Sequence, residues 1–130
     1  MVSARRESLE KRRILVVDDE PGMRALFSFM LGAKGYDVCT AASGEEAIER
    51  VKDAPYDLVF LDIRMPQMDG LEALRTLRGL CSTIAVVMMT GYAVEQLLND
   101  AMQEGAKGIL RKPFTVSELL TSIDNVLQPT

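Results

Sequence analysis

Asp18-Asp19-Glu20, Asp62, Thr90 and Lys112 are the residues whose types and placement suit chemistry. Each ends or follows a short, mainly apolar run: Ile14-Leu15-Val16-Val17 before the acidic triplet, Leu58-Val59-Phe60-Leu61 before Asp62, 84–89 before Thr90, and Gly108-Ile109-Leu110-Arg111 before Lys112. Brought together, Asp18, Asp19 and Asp62 would repel one another, and at least one pKa would rise. A hard divalent cation relieves that repulsion, and an all-carboxylate oxygen set suits Mg²⁺. Such an ion also polarises phosphoryl oxygens and offsets their charge. Lys112 supplies a mobile positive charge for a phosphoryl oxygen, and Thr90 a hydroxyl donor. One carboxylate remains to attack phosphorus and form an acyl phosphate. The chemistry in view is phosphoryl transfer, in which a protein mostly positions groups and neutralises charge. Taken singly, an Asp after a strand is a helix cap or turn residue and a Lys-Pro is a loop. Their joint placement at strand ends is what favours a site.

Composition narrows the alternatives. The chain has 130 residues, the size of one domain with one core, and is 48% hydrophobic and 26% charged, as globular proteins are. Its formal net charge of -4 argues against direct nucleic-acid binding. It has no histidine, which removes Ser/His/Asp and Cys/His catalysis and imidazole zinc sites. Any phosphohistidine must therefore lie on a partner. Cys39 and Cys81 fit no metal or redox spacing and read as small apolar residues. No apolar run approaches the roughly 20 residues of a membrane span. The N-terminus lacks an apolar signal segment, which points to the cytoplasm.

The elements that must position these residues alternate along the chain. Residues 1–12 are strongly charged and read as a solvated arm, with a domain over 13–128. Continuous apolar runs suit strands buried on both faces, whereas 36–41 mixes polar and apolar residues and suits an edge. Pro21 opens a helix whose stripe is Met23, Leu26, Phe27, Met30 and Leu31, stopped by Gly35. Ser43 caps a second, with Glu46 as its capping-box partner. Further helices carry Leu71, Leu74 and Leu77; then Val94, Leu97, Leu98, Ala101 and Met102; then Val116, Leu119, Leu120, Ile123 and Leu127. Five strands alternating with five helices imply an α/β, flavodoxin-like fold: a five-stranded parallel sheet, order 2-1-3-4-5, with helices on both faces. In that order the four polar strand ends share one rim.

Val16-Val17-Asp18-Asp19-Glu20, Leu61-Asp62-Ile63-Arg64-Met65-Pro66 with Met68-Asp69-Gly70, Met89-Thr90-Gly91 and Lys112-Pro113-Phe114 resemble the signature blocks of response-regulator receiver domains. The resemblance implies a two-component signalling and phosphorelay role. Asp62 would be the phosphorylated residue. Mg²⁺ would be held by Asp19 and Asp62 directly, by the Arg64 carbonyl, and by Asp18 through water. Thr90 and Lys112 would bind the phosphoryl group, with Lys112-Pro113 cis. The donor would be a histidine kinase or histidine phosphotransfer protein, and the 93–105 helix, 108–111 strand and 115–127 helix would carry the signal to a downstream partner. Arg64 and Tyr92 would tune water access to the phosphoryl group. Ile109 replaces the aromatic residue usual in the switch, so a backbone shift of 91–97 is expected instead. Gly108, and a last helix without the basic residues used by head-to-head dimers, argue against that kind of dimer. A receiver of this kind is a phospho-accepting domain rather than an enzyme, either free-standing or one part of a longer protein. A haloacid-dehalogenase-like phosphatase would place a second aspartate where Arg64 stands, and a pseudo-receiver would lack the acidic pair, nucleophile or lysine.

Overall fold

The computed structural model describes residues 12–65, 68–91 and 95–127. The 1–11 part of the expected arm, Pro66, Tyr92, Ala93 and Val94 lie outside them. Five strands and five helices alternate: β1 (Arg13–Val17), α1 (Pro21–Ala33), β2 (Asp37–Ala41), α2 (Gly44–Asp53), β3 (Leu58–Asp62), α3 (Gly70–Leu80), β4 (Ala85–Thr90), α4 (Glu95–Gln103), β5 (Gly108–Arg111) and α5 (Val116–Leu127). The sheet is parallel with order β2-β1-β3-β4-β5, and the polar-mixed β2 is an edge as expected.

The pleat divides each strand between two cores. Leu15, Val17, Val59, Leu61, Val86 and Met88 pack under α2, α3 and α4, where Ile48, Leu74, Leu77 and Leu98 meet them. Ile14, Val16, Leu58, Phe60, Val87 and Met89 pack under α1 and α5, against Phe27, Leu31, Leu119 and Ile123. Fully burying one such side chain contributes about 1.5–3 kcal/mol, so the central strands anchor the sheet.

Helix ends follow from local chemistry. Ser43 Oγ accepts from the Glu46 N–H at 3.1 Å, and Asp69 caps α3 by accepting from the Glu72 N–H at 2.9 Å. Glu46 reaches one residue further back than a capping box requires and accepts from the Ala42 N–H at 2.7 Å. Thr115 and Glu118 form a full reciprocal box at the start of α5. Gly35 ends α1 at φ 95°, a left-handed conformation that favours glycine. The α1 stripe is narrower than expected: Phe27 and Leu31 are buried one turn apart, while Leu26 is 45% exposed. Leu26 sits about 100° around the helix from Phe27, off the core-facing side.

Candidate functional site

Strand pairing brings the expected residues together. Between β1 and β3 the chain order reverses, and ligands on such sheets bind at the carboxyl ends of the strands flanking that point. The ladder continues past the strands and fixes their exits. The Asp18 N–H donates to Ala41 O (3.1 Å), Ile63 N–H to Met89 O (2.9 Å) and Lys112 N–H to Thr90 O (2.7 Å). The Lys112-Pro113 bond is cis, as expected.

Asp18, Asp62 and Thr90 are the buried polar residues among those described, at 0%, 7% and 2% exposure. One carboxylate oxygen from each of Asp18, Asp19 and Asp62 lies within 4.8 Å of the others. Lys112 Nζ bridges the two buried members, 2.7 Å from Asp18 Oδ2 and 3.1 Å from Asp62 Oδ2. Backbone N–H groups take the opposite oxygens: Glu20 donates to Asp18 Oδ1 and Arg64 to Asp62 Oδ1, each at 3.0 Å. Asp62, Asp19, Glu20, Arg64, Gly91 and Lys112 line a rim cavity of ≈ 590 Å³.

The electrostatics follow from burial and pairing. Burial pushes the Asp62 carboxyl above its ordinary pKa, aided by the Asp18 charge and opposed by hydrogen bonds from Arg64 N–H and Lys112. Burial pulls the Lys112 ammonium down, but hydrogen bonds and charge from Asp18 and Asp62 outweigh it and raise its pKa. Lys112 therefore stays cationic at neutral pH. The three-carboxylate set offers only hard oxygen donors, which fits Mg²⁺, an ion that keeps several of its waters.

Two contacts were not legible as motifs. Gly70 lies so close to the end of β3 that a Cβ there would stand 2.6 Å from Asp62 O and 2.5 Å from Ile63 Cα. Arg24, on α1, donates from Nη1 to Asp18 O at 2.7 Å. The Asp-Gly pair at 69–70 hinted at the first, and nothing local marks the second. Arg64 and Ile109 are described at the rim and on β5, respectively, while Tyr92 lies outside the described residues. No helix among the described residues is long and apolar enough to cross a membrane.

Comparison with known proteins places this rim in context. The family model described as "Response regulator receiver domain" matches residues 14–124. Chemotaxis protein CheY of Bacillus subtilis (strain 168) is 35% identical over 116 residues, 88% of this chain and 97% of that protein. Regulatory protein AtoC of Escherichia coli (strain K12) is 36% identical over 116 residues, 89% of this chain but 25% of that protein. Among solved structures, the CheX-CheY-BeF3-Mg+2 complex from Borrelia burgdorferi matches at TM-score 0.86 and 30% identity, covering 91% of this chain and 90% of that one.

Proposed function

The chain belongs to the response regulator receiver domain family of two-component signalling proteins, and from that premise we propose that Asp62 accepts a phosphoryl group from a partner's phosphohistidine. The observation that carries this reading is Asp62 itself, a nearly buried carboxylate bonded to Lys112 and set beside Asp18 and Asp19. An Asp62 oxygen attacks phosphorus, the P–N bond to the donor imidazole breaks, and the nitrogen keeps the electron pair and takes up a proton. The product is an aspartyl phosphate. With no histidine in this chain, the donor is a histidine kinase or a histidine phosphotransfer protein.

Asp19 and Asp62, the Arg64 carbonyl and, through water, Asp18 would hold Mg²⁺, in keeping with the metal and beryllofluoride named for the Borrelia complex. The ion offsets charge on the phosphoryl oxygens. Lys112 pairs with one of those oxygens and Thr90 donates its hydroxyl to another. Thr90 and Lys112 close β4 and β5, so their movement carries to α4, β5 and α5, the face read by a downstream protein or domain. The domain spans 13–128, acts in the cytoplasm and switches rather than turning over a separate substrate. Incubation with Mg²⁺ and acetyl phosphate should add one phosphoryl group by intact mass, and Asp62→Asn should abolish the addition. Wild-type labelling rates in Asp62→Asn would reject the assignment.

A further inference from the structure

We propose that Arg24 is a positioning residue for the metal site, acting through the Asp18 main chain to hold Asp19 in place. The inference rests on the receiver reading above and adds to it a residue that touches neither the phosphoryl group nor the metal.

Arg24 sits four residues into α1, where a cation opposes the positive end of the helix dipole. A residue placed against that field needs a compensating partner. Its guanidinium finds one in Asp18 O, at 2.7 Å, in a partly buried contact. The same side chain lies close enough to Glu46 that its charge helps hold that carboxyl below the usual range, behind the Ala42 N–H bond and the contacts with Arg50. Arg24 thus spans from α1 to the exits of β1 and β2, which the Asp18 N–H to Ala41 O bond joins.

Asp19 is exposed, and its side chain makes no hydrogen bond among the described residues. Its position is therefore set by its backbone alone. The peptide before it is fixed by Arg24 at the Asp18 carbonyl. The N–H after it, that of Glu20, is fixed by Asp18 Oδ1 at 3.0 Å. Both clamps leave the Asp19 carboxylate free for an ion. Arg24 also binds a carbonyl rather than a carboxylate, so it takes no metal-facing oxygen. Lys112 does the reverse and occupies oxygens of Asp18 and Asp62.

The two cations should therefore have opposite effects on metal binding. As a charge alone, Arg24 would repel Mg²⁺, and removing it would tighten binding. As a positioning group, its removal should weaken binding, by about tenfold, the low end for outer-shell partners. The test is calorimetric titration of Mg²⁺ into wild type, Arg24→Met and Arg24→Lys, with amide shifts of Asp19 and Glu20 followed in the metal-free proteins. Arg24→Met should raise the half-saturating concentration about tenfold and move both amides. Arg24→Lys, still able to donate to the carbonyl, should recover part of both effects. Equal or tighter binding by Arg24→Met overturns the inference, as does an Arg24→Lys no better than Arg24→Met. If Arg24→Met fails to fold by circular dichroism, Arg24→Gln replaces it under the same two outcomes. A wild-type protein that bound no Mg²⁺ would instead reject the receiver-site reading itself.

Discussion

The Lys112 ammonium stands closer to Asp18, at 2.7 Å, than to Asp62, at 3.1 Å. Before phosphorylation, the lysine thus neutralises the same buried carboxylates that a metal would neutralise. Lys112→Ala should bind Mg²⁺ more tightly than wild type, yet lose the conformational response to a phosphoryl mimic. Calorimetry measures the first effect and amide shift mapping the second. Loss of metal binding in Lys112→Ala would contradict these roles.

Asp62 should titrate above the ordinary carboxylate value, because burial disfavours its anion more than Arg64 N–H and Lys112 favour it. The folded protein then holds this proton more tightly than the unfolded chain. The resulting stability is fully present below about pH 4 and is lost as pH rises through the folded pKa. Denaturation of metal-free wild type and Asp62→Asn isolates the effect. The stability of wild type relative to the variant should fall as pH rises above about 4, and a rise would contradict the assignment.

Gly70→Ala should destabilise the fold by about 1–3 kcal/mol, because its Cβ would meet backbone rather than a yielding side chain. The nearest atoms are Ile63 Cα and Asp62 O at 2.5 and 2.6 Å, so strain falls on the residue carrying the nucleophile. Urea denaturation should show the loss, and labelling by acetyl phosphate should slow with it. A variant as stable as wild type would mean that α3 moves aside freely.

Phe27→Ala should cost about 3–5 kcal/mol. Its ring is fully buried, with centroids 5.3 Å from Phe60 and 5.4 Å from Phe114. Through Phe114 it supports the loop after Lys112, so the response to beryllofluoride should weaken along with stability. A thermal melt and a mimic titration check the two effects separately.

The sheet was readable because strands buried on both faces need continuous apolar runs, so Val17-Asp18, Leu61-Asp62 and Met89-Thr90 each mark where the apolar run gives way to a polar residue. The rim then followed from strand order. What sequence could not convey depends on direction in space. Leu26 and Phe29 look like core residues by type, yet Phe29 is 77% exposed. The Lys112–Asp18 bond joins residues 94 apart, and the Arg24–Asp18 bond depends on where the α1 side chain turns. Ser43 caps the Glu46 N–H as its spacing implies, but the Glu46 carboxylate closes on the Ala42 N–H instead of that of Ser43, because reach, unlike spacing, is set by the backbone path.

Movement after phosphorylation should be graded along α4. Its far end is tied to α3 by Arg75–Glu104 at 3.0 Å, and Gly105, at φ 107°, lies against the Arg78 guanidinium. Ile109 has no ring to rotate and packs against the core beneath α4. Beryllofluoride with Mg²⁺ should therefore shift amides at 95–98 more than those at 102–105. Changes confined to the rim, with 95–111 unmoved, would remove α4 and β5 from the output path.

The central claim is that Asp62 carries the phosphoryl group. Borohydride reduction of the acetyl phosphate-treated protein cleaves an acyl phosphate and leaves an alcohol at the modified carbon. Peptide mass spectrometry should then find homoserine at position 62 alone, only when Mg²⁺ was present. Reduction at Asp18, Asp19 or Asp69 with Asp62 intact would contradict the account.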